Sequence, residues 1–286
     1  MRFATFLDAD GRSGLAVARD GTDFHGWGED DPAYPGSLDD LIQNEADLAE
    51  IADAAATAGR IDLDAVTLAP PLRRPGKILC VGLNYADHAR ETGRQPPDYP
   101  TLFVRFPSTL VGAGAALVRP RVSTQLDYEG ELVAVIGRGG RHIPHARALD
   151  HVVAYSIFND ASVRDYQAKA SQWTMGKNFD ATGGFGPWLV TADMLPPGAA
   201  GLRIRTRLAG AVVQEANTDD MIFDLATLIE RISEVMTLSP GDMIVTGTPP
   251  GVGIARTPPL FMKPGDLCEV EIERIGLLRN LVVAEG

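Results

Sequence analysis

Six short apolar runs, rich in β-branched residues and bounded by turn residues, recur between residues 78 and 272. Each has the length of a β-strand, and a Pro-Gly-Asp turn signature directly precedes the runs that begin at 243 and 267. The helical segments are too few and too irregularly placed for a regular βαβ alternation. We therefore predict an α+β fold that is rich in β-structure. The six runs are residues 78–81, 132–136, 152–158, 202–208, 243–245 and 267–272.

Helical spacing of apolar residues predicts five helices. The clearest is 223–236, whose apolar residues share one face. Ser-x-x-Asp at 37–40 and Asn-x-x-Asp at 84–87 resemble capping boxes, which mark the first turn of a helix. The predicted helices are residues 37–58, 84–92, 144–150, 163–170 and 223–236.

The segment 69–76, Ala-Pro-Pro-Leu-Arg-Arg-Pro-Gly, can continue neither a helix nor a strand. Before it, the runs 2–7 and 14–18 are split by an Asp-Gly pair, which predicts a β-hairpin. A length of 286 residues is compatible with one or two domains. We predict a small N-terminal α/β domain over residues 1–72 and a main domain over residues 73–286.

Composition excludes several classes of protein. The net charge of −12 argues against nucleic acid and against anionic membrane surfaces as partners. The N-terminus lacks the apolar core of a signal peptide, and no run approaches the roughly 20 apolar residues of a membrane span. We therefore expect a cytoplasmic protein. Cys80 and Cys268 lie far apart in apolar runs, which favours buried thiols over a disulfide or a zinc site.

Glu129 and Glu131 stand two residues apart, so on a strand both side chains would project from one face. The continuous apolar run that follows is typical of a strand buried on both sides, where two like charges are costly without a cation. Oxygen ligands favour magnesium, manganese or calcium over zinc. Asp160, at the end of an apolar run, is the candidate third ligand. The ordinary alternatives are solvent exposure for the pair and a helix cap for Asp160.

A second group of glutamates can be compared with Glu129 and Glu131. Glu269, Glu271 and Glu273 have the same spacing, but they alternate with apolar residues at every second position. That alternation predicts an amphipathic strand with a solvated acidic face, and we assign it no function.

Four further polar residues could act beside such a metal. His88 and Glu91 are one helical turn apart, and a carboxylate beside an imidazole orients it to take a proton from water. Arg164 and Gln167 share a helix face, and Arg164 could form a fork to a substrate carboxylate. A surface helix pair and a local ion pair are the structural alternatives.

Lys177 and Thr248 complete the set of candidates. Lys177 lies between a glycine and an aromatic residue, far from any charge run, and could neutralise an enolate or a carboxylate. A solvated lysine is the alternative. Thr248 belongs to a glycine-rich turn, 245–253, whose N–H groups and hydroxyl could hold an anion. The turn does not match a phosphate-binding loop.

Taken together, five motifs in this order resemble the fumarylacetoacetate hydrolase family, from about residue 77 to the C-terminus. Their number and order make the resemblance specific. They are 82–88 (Gly-Leu-Asn-Tyr-Ala-Asp-His), 127–132 (Asp-Tyr-Glu-Gly-Glu-Leu), 159–167 (Asn-Asp-Ala-Ser-Val-Arg-Asp-Tyr-Gln), 176–179 (Gly-Lys-Asn-Phe) and 241–249 (Gly-Asp-Met-Ile-Val-Thr-Gly-Thr-Pro).

The resemblance implies a mixed β-sandwich or β-roll core, a homodimer and a small keto-acid substrate. It implies magnesium or manganese bound by Glu129, Glu131 and Asp160. It also implies that His88 and Glu91 activate a water molecule. The positions implied to contact substrate are Lys177, Arg164, Gln167 and Thr248.

The activity that follows is hydrolysis of a carbon–carbon bond in a small 1,3-diketo acid of the acylpyruvate or fumarylpyruvate type, giving pyruvate and a carboxylic acid. Two alternatives use the same site: decarboxylation of oxaloacetate, and isomerisation of a 5-carboxymethyl-2-hydroxymuconate-type compound. An alternative of another class is a metal-binding module without turnover.

Overall fold

The computed structural model describes residues 1–286, and strands dominate its regular structure, as predicted. The strands are β1 (Arg2–Leu7), β2 (Ser13–Ala18), β3 (His25–Gly28), β4 (Gly59–Arg60), β5 (Thr67–Leu68), β6 (Ile78–Gly82), β7 (Thr101–Arg105), β8 (Leu110–Val111), β9 (Leu117–Arg119), β10 (Leu126–Asp127), β11 (Gly130–Ile136), β12 (Val152–Asp160), β13 (Ser162–Val163), β14 (Gly183–Thr191), β15 (Arg203–Leu208), β16 (Ala211–Asn217), β17 (Met243–Val245), β18 (Leu267–Ile272) and β19 (Gly276–Ala284). The helices are α1 (Leu38–Gln43), α2 (Leu48–Ala55), α3 (Ala86–Glu91), α4 (Arg164–Gln167), α5 (Thr174–Lys177) and α6 (Leu225–Val235).

Twelve strands form one large mixed sheet. Ten of them follow the order β4-β3-β2-β1-β14-β12-β11-β17-β6-β7, while β5 pairs with β1 and β8 pairs with β14. A second sheet has the order β16-β15-β18-β19-β9, and β10 pairs with β13. Only the pairs β17–β6, β14–β8 and β19–β9 are parallel.

Strand β11 lies in the middle of the large sheet and is buried along its whole length. Leu132 and Ala134 belong to the core that α6 and the five-stranded sheet cover, whereas Val133 and Val135 belong to the core that α1 and α2 cover. The strand is therefore buried on both faces, as its continuous apolar run predicted, because each face packs against a different layer.

All six apolar runs form strands, and the predicted bounds of β17 and β18 match the structure. The helices are shorter than predicted. Residues 144–150 correspond to a 3₁₀ turn (His145–His151), and the helix predicted at 163–170 is limited to α4. The longest helix, α6, has 11 residues, and none of the helices has the length and apolarity needed to cross a bilayer.

The single helix predicted for residues 37–58 is wrong. Ser37 caps α1 as predicted, accepting a hydrogen bond from the Asp40 N–H. However, α1 ends at Gln43, and a separate helix, α2, follows with Asp47 as its N-cap residue. Glu45 has a φ of 53°, a left-handed conformation that a right-handed helix cannot contain.

The capping box predicted at Asn84 is also wrong. The residue that precedes α3 is Tyr85, and no side chain caps this helix. The Asn84 amide instead donates to the carbonyls of Phe223 and Thr246 and accepts from the Phe223 N–H. These long-range hydrogen bonds connect Asn84, which lies just before the helix that carries His88, to the loop before α6 and to the end of β17.

The predicted hairpin of β1 and β2 is present, and Gly11 in its turn has a φ of 79°. Strand β1 also pairs with β14, Arg2 facing Val190 and Phe3 facing Leu189. The first strands therefore extend the large sheet. The division of the chain at residue 72 stays a prediction.

Candidate metal centre and catalytic pocket

The carboxylates of Glu129, Glu131 and Asp160 lie within 4.8 Å of one another, so the predicted convergence is confirmed. Neighbouring strands produce it: β11 pairs with β12, and the Asp160 N–H donates to the Glu129 carbonyl at 2.8 Å. All three side chains are buried. Asp160 is part of strand β12, and it does not cap a helix.

The electrostatics of this triad fit a divalent cation. Burial, reinforced by the charges of Asp160 and Glu129, raises the pKa of Glu131 well above its usual range. Its hydrogen-bond donor in the protein is the Gly247 N–H, at 2.6 Å. A site of three buried carboxylate oxygens could hold a hard dication, which would remove this repulsion. The choice between magnesium and manganese stays a prediction.

Three buried cations contact the triad from the protein side, and two of them, Lys177 and Arg164, also line its cavity. The Lys177 Nζ atom lies 2.5 Å from Glu129 Oε2 and 2.5 Å from Asp160 Oδ2. The Arg164 Nη2 atom lies 2.7 Å from Glu129 Oε1, and its Nε donates to Asp127 at 2.8 Å. Burial acts to raise the pKa of Glu129, but the charges of Lys177 and Arg164 outweigh it and hold that pKa below its usual range.

Lys177 is therefore no solvated lysine, and Arg164 pairs with Asp127 and Glu129 instead of forming an ion pair within its own helix. Arg164 also donates to the Gln167 side chain at 2.9 Å, so the two predicted neighbours on α4 are in contact. With every group ionised, four buried carboxylates face three buried cations in this cluster, which leaves one net negative charge before a metal is added. A bound dication would reverse that sign and make the site suitable for an anionic substrate. The cluster comprises Asp127, Glu129, Glu131, Asp160, Arg105, Arg164 and Lys177.

The sequence interpretation missed two members of this cluster. Arg105 is 2% exposed, and its Nη1 lies 2.5 Å from Asp160 Oδ1. Asp127 pairs with Arg164 and accepts hydrogen bonds from the N–H groups of residues 253 and 254. An arginine at the end of β7 (Thr-Leu-Phe-Val-Arg) was a usable signal for a buried ion pair, because arginine is rarely buried without a partner.

His88 and Glu91 form the predicted pair on α3. The His88 Nδ1 atom lies 2.9 Å from Glu91 Oε1, and the Gly251 N–H donates to both Glu91 oxygens, at 3.0 and 2.8 Å. The other ring nitrogen of His88, Nε2, makes no hydrogen bond within the protein. Glu91, itself held by the Gly251 N–H, therefore orients the imidazole through Nδ1, and Nε2 stays available to a water molecule or a substrate.

A cavity of about 370 Å³ joins these groups. Eight of the nine predicted site residues line it, and the ninth, Asp160, lies fully buried behind Lys177. Thr248 donates to the Gly130 carbonyl at 3.1 Å and accepts from Gln214 at 2.8 Å. The volume is within the range of about 300–1,000 Å³ of small-molecule sites. The eight lining residues are His88, Glu91, Glu129, Glu131, Arg164, Gln167, Lys177 and Thr248.

A buried oxygen-ligand triad and an oriented His–Glu pair that share one cavity have the composition of a metal-assisted enzyme site. Residues 77–283 match the family model described as fumarylacetoacetate (FAA) hydrolase C-terminal. The chain belongs to the fumarylacetoacetate hydrolase family, as its motifs predicted, and members of this family are enzymes.

Three relatives illustrate the range of activities in the family. The chain is 37% identical over 290 residues, 99% of its length and 90% of the relative, to the mitochondrial oxaloacetate tautomerase fahd2 of Xenopus laevis. A fumarylacetoacetate hydrolase structure from Exiguobacterium antarcticum superposes with a TM-score of 0.84 at 35% identity, covering 100% of both chains. The maleylpyruvate hydrolase of Sphingobium sp. SYK-6 superposes with a TM-score of 0.80 at 30% identity, again covering 100% of both chains.

Proposed function

We propose that this protein is a divalent-metal-dependent hydrolase that cleaves a carbon–carbon bond in a small 1,3-diketo acid of the acylpyruvate or fumarylpyruvate type. The products would be pyruvate and a carboxylic acid. The observation that carries the proposal is the His88–Glu91 pair, which opens on the same cavity as the acidic triad. A metal-binding module without turnover has no need of such a pair.

Bound by Glu129, Glu131 and Asp160, a magnesium or manganese ion would act as a Lewis acid toward the keto-acid end and stabilise the negative charge of the leaving fragment. The Lys177 ammonium, held against the same carboxylates, adds positive charge at that end.

His88 is the proposed base. Its Nδ1 is engaged by Glu91, so Nε2 is the atom that would take a proton from water. The hydroxide equivalent adds to the distal carbonyl carbon, and the bond between this carbon and the central carbon breaks. The electron pair passes to the pyruvate fragment, which then takes a proton at its methyl carbon. A positioned base of this kind contributes roughly 10²–10⁴ in rate.

The test is hydrolysis of acylpyruvates with added magnesium or manganese, measured as pyruvate release. His88→Ala should bind the metal as the wild type does and lose activity by roughly 10²–10⁴. His145→Ala is the matched control, because this histidine is about half exposed and lies outside the cavity. Full hydrolytic activity of His88→Ala, or no pyruvate release by the wild type with either metal, would contradict the proposal.

Tautomerisation of oxaloacetate is the second candidate, and the name of the Xenopus laevis relative favours it. That reaction moves a proton between carbon and oxygen and breaks no carbon–carbon bond. Loss of the enol absorbance of oxaloacetate without pyruvate release would identify it. Pyruvate release from oxaloacetate together with carbon dioxide would instead identify the decarboxylase alternative.

A further inference from the structure

One wall of the catalytic cavity is a stack of Phe103, Trp173 and Arg94. The rings of Phe103 and Trp173 meet edge to face, with centroids 5.4 Å apart, and the Arg94 guanidinium carbon lies 5.3 Å from the Trp173 ring. Gly82 makes room for this stack, because a Cβ there would lie 2.3 Å from Trp173 Cζ3. The indole is therefore held in place by backbone as well as by side chains.

One cationic side chain that lines the cavity, Arg94, has no ion-pair partner. Lys177 is paired with Glu129 and Asp160, and Arg164 is paired with carboxylates on both sides. The Arg94 guanidinium lines the same cavity but makes no ion pair and no hydrogen bond within the protein. The indole N–H of Trp173 likewise donates to no protein acceptor. Two unused donors beside an aromatic surface are the chemistry of a carboxylate subsite.

This subsite is separate from the acidic triad. Aromatic contacts link the two: the Lys177 Nζ atom is 4.8 Å from the centroid of the Phe103 ring, and that ring packs edge to face with Trp173. Arg94 pairs with none of the triad carboxylates, whereas Lys177 pairs with two of them.

We propose that Arg94, with the Trp173 N–H, binds a second carboxylate of the substrate and makes the site selective for dicarboxylic keto acids. The inference rests on the proposed function for one point, the placement of the 2-keto acid end of the substrate at the triad. It restricts the acyl group of the proposed substrate to one that ends in a carboxylate. Arg94 is thus a specificity-determining residue, and it takes no part in the bond cleavage.

The test compares two ligands that differ only at the distal end, 2-oxoadipate and 2-oxohexanoate, by calorimetric titration with magnesium present. The wild type should bind the diacid roughly ten-fold more tightly, the effect of one charge-assisted contact. Arg94→Gln should lose this preference while its affinity for 2-oxohexanoate stays unchanged. Arg90→Gln is the control, because Arg90 is exposed, pairs with Asp87 and lies outside the cavity.

Equal binding of the two ligands by the wild type, no binding of the diacid, or a preference that survives in Arg94→Gln would overturn the inference. An equal loss for both ligands in Arg94→Gln would also overturn it, since that pattern indicates a structural role. The measurement needs no turnover. A diacid preference that depends on Arg94 in a protein without hydrolytic activity would refute the proposed function and leave the subsite standing.

Discussion

Arg105 and Asp160 form a fully buried ion pair, and its loss should be costly. Arg105→Met should lower the free energy of unfolding by about 3–5 kcal/mol, the range for removing one partner of a buried pair. Methionine preserves much of the side-chain length but leaves Asp160 with Lys177 as its remaining cationic partner. The variant also removes the donors to the Thr182 hydroxyl and the Ala161 carbonyl.

The assay is urea unfolding of the metal-free protein, with recovery of the native signal on dilution as the check of reversibility. A loss of about 3–5 kcal/mol corresponds to a fall in Tm of roughly 5–8 °C for a chain of 286 residues. Arg90→Met is the control, because its pair with Asp87 is exposed and should contribute no more than about 0.5 kcal/mol. A loss below about 1 kcal/mol in Arg105→Met would refute the reasoning.

Two further substitutions test the triad and its support. Glu131→Gln should raise the Tm of the metal-free protein and abolish its stabilisation by magnesium, because burial beside two carboxylates disfavours the charged form of Glu131. Scanning fluorimetry with and without magnesium measures both effects, and Glu271→Gln, on the partly exposed strand β18, should respond to magnesium as the wild type does. Gly247→Ala should cost roughly 2–5 kcal/mol in urea unfolding, because its φ is 101° and a Cβ would lie 2.8 Å from a neighbouring side chain. Gly265→Ala, with a φ of 94° in open space, should cost only about 1 kcal/mol, and equal losses in the two glycine variants would argue against the steric explanation.

The sequence by itself determined eight of the strands and the three carboxylates of the acidic triad. Period-two and continuous apolar patterns are local properties, so β17 and β18 were predicted with their bounds. Glu129 and Glu131 were distinguished from Glu271 by their flanking residues, and the structure buries the first two while leaving the third partly exposed. The local pattern was sufficient here because a strand that is buried on both faces has apolar side chains at consecutive positions.

Only the tertiary structure decided which groups meet at the site. Arg105 and Asp160 are 55 residues apart, and Lys177 and Glu129 are 48 apart, so no local pattern links them. The same holds for β1, whose pairing with β14 joins the N-terminal strands to the large sheet. Pairing between distant strands depends on the packing of the whole chain, and each buried charge takes its partner from whatever that packing brings within hydrogen-bond distance.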